Sequence, residues 1–453
     1  MLENIIKQYN KYAQANNSLL QKALTSATNV GEALIPQKLE QVITNIMVRL
    51  SPEVAVIEPE YDAQKFHEFN RITSLPAAGG AMGESAVTPV RRSTFQRAQV
   101  QMKVIRRKAA VTNFLQDSSK KYIDAAAAEL ENHLLSHAYD LATYILYGNA
   151  TANQYEFDGL DTLISTNRVN TAQGGAAVSS LSVFDEMIDR NVSKQGAKHN
   201  RVFVMSPYMA SRLSQLLVNT NVRLNVEARE VEIKGGWVVE SYRGIPIIVS
   251  SACRPTGAKM SLTVTGVTGS GFSANHYFRI APVTWDGEQI ASDEKTLTVS
   301  SDTKDAKLDW TAYPGAISYK IYAGATSGAL KLIRVIPAFT YDGDGTITGN
   351  VTTITLSSPD KGSEVTSAQA NDVPLVATGN VPMETVFLWD LDKYQGLGKF
   401  PYTNSGGSKM NGLVTITPLA QTDDDLPFLI KTYGALCPAF EATSVMYRGL
   451  RIA

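Results

Sequence analysis

The sequence predicts an α+β body with an all-β module inserted into it, and three observations carry that prediction. From about Lys120 to Tyr147 apolar residues recur at helical spacing, giving one helix long enough to act as a spine. From Ser180 onward short apolar strand patterns alternate with amphipathic helix patterns. Between about Lys259 and Pro359 the chain reads as strands and turns alone, flanked by the strand-like runs Ile245–Ser250 and Thr385–Trp389. A module placed this way enters and leaves through a surface loop of a host that folds around it.

Residues 1–60 read as an N-terminal arm and a helix, with Ile43, Ile46, Met47 and Leu50 at helical spacing. Residues 61–113 read as an extended hairpin around a pliant tip, Leu75–Gly83, whose returning arm alternates Val100, Met102, Val104 and then Ala109, Val111. Between Ala86 and Lys108 stand Arg91, Arg92, Arg97, Lys103, Arg106, Arg107 and Lys108, with no acidic residue among them. One reading is a solvated charged strand face. The other starts from the weakness of a two-stranded ribbon in water and the mutual repulsion of like charges. Such an arm should lie on an acidic surface, and the near-balanced chain points to another copy of itself.

The spine helix follows, with Asp117-Ser118-Ser119 as N-cap candidates and a stripe of Ile123, Ala127, Leu130, Leu134, Ala138, Leu141 and Ile145. Spanning Lys120 to Tyr147, it is expected to be about 40 Å long, and Gly148-Asn149 supplies the stop. Ser182-Val-Phe-Asp185 reads as a capping box. Arg201–Met205 is a buried strand, and Ser206-Pro207 opens another helix. Trp237–Val249 is two strands turning at Arg243-Gly244, and the C-terminal strands are Leu413–Thr417, Phe428–Tyr433 and the run from Val445.

Within 259–359, the stretch Ala306–Tyr322 resembles the central strands of the immunoglobulin/fibronectin type III family, through Trp310, the Pro314-Gly315 turn and the Tyr319/Ile321 alternation. Tyr277–Glu288 resembles the strand pair that closes an ordinary module of that kind. Here it comes first, so the module reads as circularly permuted. Trp285 and Tyr341 are candidates for a glycan-facing surface, with core packing the expected fate of at least one of them.

Composition and motifs exclude much chemistry. Lys plus Arg is 42 against 43 Asp plus Glu, so the basic excess that grips a nucleic-acid backbone is missing. Cys253 and Cys437 form no CxxC pair. No secretory signal and no run of about 18 apolar residues is present, which gives the expectation of cytoplasmic synthesis and no membrane. His133 and His137 have ligand spacing, but Leu134 stands where a zincin needs Glu. Asp423-Asp424-Asp425 reads as a turn before Pro427. Nucleophile elbows, P-loops and dinucleotide fingerprints are absent. No catalytic, cofactor-binding or metal-ligating residue is assigned, no cofactor is expected, and the chain reads as not an enzyme.

The element order and the phrases Gly148-Asn149, Phe157-Asp-Gly-Leu-Asp161, Met205-Ser-Pro207 and Tyr242-Arg-Gly-Ile-Pro-Ile247 resemble the major capsid proteins of tailed phages with the Hong Kong 97-type fold. The resemblance implies an N-arm and helix (1–60), an extended loop (61–113), and a spine helix with peripheral domain (114–179). It further implies an axial domain (180–258, returning at 360–400), the inserted sandwich (259–359) and C-terminal strands (401–453). It implies a homo-oligomer of hexameric and pentameric capsomers in an icosahedral virion shell, assembled in a host cytoplasm and enclosing double-stranded DNA without sequence-specific binding. Portal, scaffolding or decoration proteins, and host-surface glycans for the insert, are the implied partners. Arg91, Arg92, Arg97, Arg106, Arg107 and Lys108 are the expected inter-subunit contacts, and the insert is expected to be a dispensable outward projection. The rival readings are a cell-surface or glycan-binding protein using the module, and a hydrolase with an accessory module. The absent secretion signal argues against the first, and the missing nucleophile and base against the second.

Overall fold

The computed structural model describes residues 52–77, 80–85, 87–119, 124–171, 174–194, 200–219, 230–233, 237–300, 302–403, 413–421 and 423–452. The expected N-terminal arm, part of the hairpin tip, Lys120–Ile123 and His199 lie outside them. Ahead of the module are helices α1 (Glu53–Val56), α2 (Asn113–Ser119), α3 (Ala125–Tyr147), α4 (Leu160–Leu163), α5 (Ser182–Ser193) and α6 (Pro207–Asn219). The strands among them are β1 (Glu58–Tyr61), β2 (Phe66–Ser74), β3 (Thr94–Gln101), β4 (Lys103–Thr112), β5 (Arg168–Asn170), β6 (Ala176–Val178), β7 (Arg201–Met205), β8 (Glu230–Ile233), β9 (Trp237–Tyr242) and β10 (Ile245–Val249). The module holds β11 (Leu262–Phe272), β12 (His276–Thr284), β13 (Gly287–Glu288), β14 (Lys295–Leu297), β15 (Lys304–Trp310), β16 (Ser318–Gly324), β17 (Lys331–Pro337), β18 (Phe339–Tyr341), β19 (Ile347–Asn350) and β20 (Thr353–Leu356). The chain returns through β21 (Ala377–Thr378), β22 (Val381–Pro382), β23 (Glu384–Asp390), β24 (Lys399–Tyr402), β25 (Thr415–Pro418), β26 (Asp425–Gly434) and β27 (Val445–Ile452).

Among the described residues the body has two large sheets, besides the two-stranded β2–β3 and β21–β22. The larger runs β5-β27-β23-β7-β10-β9-β8, with β6 also on β27. In its central strand β7 the run Val202–Met205 is apolar and buried, as suits a strand covered on both faces. Val202 and Val204 pack toward α3, where Leu141, Ala142, Ile145 and Leu146 are fully buried. Phe203 and Met205 pack on the opposite side with Phe184 and Met187 of α5 and Met209 and Leu213 of α6. β10 lies parallel to β7 and β23 antiparallel to it. The chain thus leaves this sheet on one flank of β7 and re-enters on the other, with the whole module between. The second sheet runs β1-β24-β26-β25, with β4 along β26 over its full length.

Local chemistry explains several boundaries. Ser206 Oγ accepts from Met209 N at 3.0 Å, capping α6 just ahead of Pro207. Arg243 and Gly244 both hold positive φ, 52° and 75°, which is the tight hairpin turn between β9 and β10. Gly148 stops α3 through space rather than through handedness. Its φ is −57°, and a Cβ there would sit 2.2 Å from the Phe157 carbonyl oxygen.

The module is two facing antiparallel sheets, β11-β15-β20 and β13-β12-β16-β17, with β14 pairing β12. Period-two alternation on β16 sends Tyr319, Ile321 and Ala323 into a core shared with Phe272, Phe278, Leu308 and Trp310. The same alternation sends Lys320 and Tyr322 out of the far face, where both are buried against the body.

Four expectations are corrected. The spine helix begins at Ala125, where Asp124 and not Asp117–Ser119 caps it by accepting from Ala127 N; its 23 residues span about 35 Å. Ser182 is no N-cap, since α5 has no side-chain cap and Asp185 instead accepts from Tyr242 OH. The extended hairpin narrows to β2–β3, because β4 leaves it for the body sheet with β26. The module is not a loosely tethered projection, for reasons that lie in its joint with the body.

Candidate assembly surface and insert joint

The hairpin β2–β3 is a sheet of its own, with no further strand among the described residues. Ile72 and Phe95 are directly opposed across it and remain 57% and 69% exposed. Leu75, Val87 and Val90 of its connection are exposed as well. Among the described residues these apolar side chains remain open to solvent. Arg91 and Arg92 are exposed in the same connection, and Arg97 on β3 lies 3.5 Å from Glu68 in a solvent-facing pair.

The remaining basic residues split by strand alternation. Arg106 and Lys108 project from the open face of β4 and are exposed, opposite Lys431 and Leu429 of β26. Like charges placed directly opposite on a sheet destabilise it, so the Arg106–Lys431 juxtaposition favours an anionic neighbour. Arg107 turns to the other face, where its Nε donates to Asp140 Oδ2 of α3 at 2.6 Å and its guanidinium lies 5.7 Å from the Trp285 ring. Arg107 is therefore an internal contact, which corrects its place among the inter-subunit residues.

Trp285 and Tyr341 point inward too. Trp285 Nε1 donates to Asp140 Oδ1 at 2.8 Å, and Tyr341 packs on Tyr155 with ring centroids 4.9 Å apart while its hydroxyl accepts from Asn153. Both face the body, which removes them as an outward glycan platform.

The feature that sequence reasoning missed is a buried ionic joint between module and body. Lys320 Nζ donates to Asp161 Oδ2 at 2.6 Å and to Glu288 Oε2 at 2.8 Å. Arg448 on β27 grips Glu288 with two nitrogens, at 2.8 and 3.0 Å. Tyr322 OH donates to Glu288 Oε1. Arg168 on β5 bonds Asp161 and, through two nitrogens, Asp372. All six ionic side chains are at most 3% exposed. Three cations meet three carboxylates, so the charge closes.

Burial alone would push Asp161 up, yet Lys320, Arg168 and Arg448 hold it well below the usual carboxylate range. Glu288 is lowered in the same way, by Arg448 and Lys320 against the burial that raises it. Burial lowers Arg448 and Arg168, but the facing carboxylates more than offset it and raise both. Asp161, Glu288, Arg168 and Arg448 therefore stay ionised through neutral pH. The only sequence signal for it was a charge set inside an otherwise buried strand, as in Tyr319-Lys-Ile-Tyr322 and Val445-Met-Tyr-Arg448.

His137 is buried against Thr432 Oγ1 at 2.8 Å, and His133 bonds Glu129 at 3.0 Å. Among the described residues no group of three or more His, Cys, Asp or Glu is placed to hold a metal ion, and no helix is long and apolar enough to cross a membrane. Cys253 and Cys437 are buried and form no disulfide, and burial pushes Cys437 up to about 11.

A family model described as SU10 major capsid protein matches residues 12–249, just over half of the chain. No curated protein matches it in sequence. Among solved structures the chain is similar to a cyanophage A-1(L) capsid chain at 12% identity and TM-score 0.49, covering 92% of this chain and 98% of that one. It is similar to the capsid of Myoviridae phage XM1 at 7% identity and TM-score 0.48, covering 94% and 100%. An encapsulin complex of Synechococcus elongatus matches at 10% identity and TM-score 0.46, covering 94% and 96%. The chain belongs to the SU10 major capsid protein family, and it is a structural protein of a self-assembling capsid shell and a component of the virion.

Proposed function

We propose that this capsid protein builds the icosahedral head of a tailed bacteriophage around double-stranded DNA, in the Hong Kong 97-type arrangement of hexameric and pentameric capsomers. The observation that carries this reading is the unsupported β2–β3 hairpin with exposed Ile72, Phe95, Val87 and Val90 on a chain of a capsid family. An apolar ribbon of this kind is stable only when it lies on a neighbour, and in a shell built of one protein the neighbour is another copy. Arg91, Arg92, Arg97, Arg106 and Lys108 are the contacts proposed to meet that copy's acidic surface. The proposed division of the body is an N-terminal arm and helix (1–60), an extended loop (61–113), a spine helix with peripheral domain (114–179), an axial domain (180–258, returning at 360–400) and C-terminal strands (401–453). The module at 259–359 is proposed to be an immunoglobulin/fibronectin type III-like sandwich seated on the outer side of the shell.

Electron microscopy and sedimentation of the purified protein test the assembly reading. Capsomers or closed shells are expected, with phage partners supplied where the protein alone stays unassembled. A monodisperse monomer under every condition would overturn the reading. Replacing Ile72 and Phe95 together by Ser should abolish shells while leaving a folded monomer.

A further inference from the structure

The module touches the body along two seams of opposite electrostatic character. One is the ionic joint around Lys320, Glu288 and Arg448. The other lies where the β18–β19 hairpin rests on body loop 149–158, beside a groove of about 830 Å3. Here the contacts are neutral and few. Asn153 Nδ2 donates both to Glu156 Oε1 of its own loop, at 2.8 Å, and to Tyr341 OH of the module, at 3.0 Å. Tyr155 packs on Tyr341, and the turn glycine Gly345 lies so close that a Cβ would be 2.8 Å from the Tyr155 ring.

Glu156 is the odd member of this seam. It is 6% exposed and lines the groove. Its hydrogen-bond donors are the Asn153 amide and, at 3.4 Å, the Asn149 backbone. No cation bonds it. The neighbouring cations are engaged elsewhere: Arg107 holds Asp140, and Lys103 Nζ donates to the Gln154 carbonyl at 2.6 Å. Arg106 lines the groove from the far face of β4, and Asp344 lines it from the module's turn. Tyr144 of α3 and Tyr341 face the carboxyl as neutral phenols, and Asp158 stands beside it in the same loop.

We propose that Glu156 is a proton-operated latch on the module. With the carboxyl protonated, loop 149–158 stays folded under the β18–β19 hairpin. When the proton leaves, a buried anion sits beside Asp158 with one side-chain amide to hold it. Hydration relieves that anion by drawing the loop outward, and Asn153 and Tyr155 go with it, releasing Tyr341. The groove opens along this seam while the ionic joint keeps the module attached on the other. Burial pushes Glu156 up to about 7, with Asn153 and Asn149 pulling it down and Asp158 adding to the rise. The latch therefore responds to pH below about 7, and its response levels off above neutrality.

Amide hydrogen exchange of the full-length protein across about pH 5.5 to 8.5, corrected for intrinsic exchange, reads the latch directly. Protection of residues 149–158 and 339–350 is expected to fall by up to about tenfold per pH unit as pH rises above the usual carboxylate range, and to level off with a midpoint near 7. Protection of β5 and β27 beside the ionic joint should stay unchanged. Glu156→Gln should remove the pH dependence and leave both segments protected throughout. Asp158→Asn should keep the dependence and move its midpoint down, which maintains a test if the Gln variant folds poorly. A pH profile in Glu156→Gln like that of the parent, or a midpoint that Asp158→Asn leaves in place, would overturn the proposal. So would equal loss of protection at β5 and β27, which marks general unfolding.

Discussion

Replacing Lys320 by Met is the sharpest perturbation of the ionic joint, because the side chain keeps its length and loses only its charge and donors. Lys320 Nζ stands 2.6 Å from Asp161 and 2.8 Å from Glu288. At an effective dielectric of about 20, each such contact is worth about 6 kcal/mol before desolvation. Taking the ammonium out of water offsets several kcal/mol of that sum. Its removal leaves three buried carboxylates facing two arginines, and breaking a buried pair from one side costs about 3–5 kcal/mol. An exposed pair such as Arg97–Glu68, at 3.5 Å, contributes under about 1 kcal/mol. Urea denaturation of the unassembled protein should therefore show a loss of about 3–5 kcal/mol for Lys320→Met. Lys320→Met combined with Glu288→Gln, which restores two cations to two carboxylates, should lose less than the two single losses added together. A loss below about 1 kcal/mol, or strict additivity, would refute the claim that the six groups form one closed set.

Excising 259–359 removes Lys320, Glu288 and Tyr322 together and uncovers the remaining Arg168, Asp161, Asp372 and Arg448 side chains, with Arg448 3.5 Å from Asp372 and 3.8 Å from Asp161; soluble expression is expected to fail, and a folded, assembling deletion protein would refute an integral role. Arg107→Ala should cost about 1.5–3 kcal/mol of monomer stability through the charged hydrogen bond to Asp140. Arg106→Ala and Lys108→Ala should stay within about 0.5 kcal/mol yet impair shell formation, and equal effects from all three would remove the distinction between the two faces of β4. His137 is lowered from 6.5 to about 4 by burial, so the native state favours its neutral form. Its stabilising contribution is complete above about pH 6.5 and is lost as pH falls toward 4, amounting to about 3 kcal/mol. A His137→Gln variant should show a flatter acid limb in denaturation against pH, and an unchanged limb would refute this assignment.

Periodicity made the body legible. The unbroken apolar run at Val202–Met205 announced a strand covered on both faces, and Leu141 with Ile145 announced the buried end of the spine helix. Trp310 and Ile321 likewise marked the module's inward face. What periodicity could not supply was partnership. Seven basic residues looked like one surface because their signs agree, although alternation already placed Arg107 on the face opposite Arg106 and Lys108. Trp285 and Tyr341 read as exposed for a similar reason, since the body that covers them comes from α3 and the 149–158 loop. The ionic joint was hidden most completely. Its members come from five separate stretches of chain, and each is an ordinary charge until β16, β27 and β5 converge. The spine's start was misplaced by competing caps, for Asp117–Ser119 belongs to α2 and Asp124 does the capping.

The ionic joint also imposes an order on folding. Arg448 lies 160 residues along the chain from Glu288, on the strand β27 that completes the larger body sheet. The module's own core draws on nearby residues and can condense as soon as it leaves the ribosome, but it cannot seat on the body until β27 has been made. Until then Asp161, Glu288 and Asp372 outnumber the cations available to them, and a nascent chain pays a standing electrostatic penalty for premature docking. Seating of the module thus reports that the body is complete, and chains interrupted before β27 are held open by their own unbalanced charge.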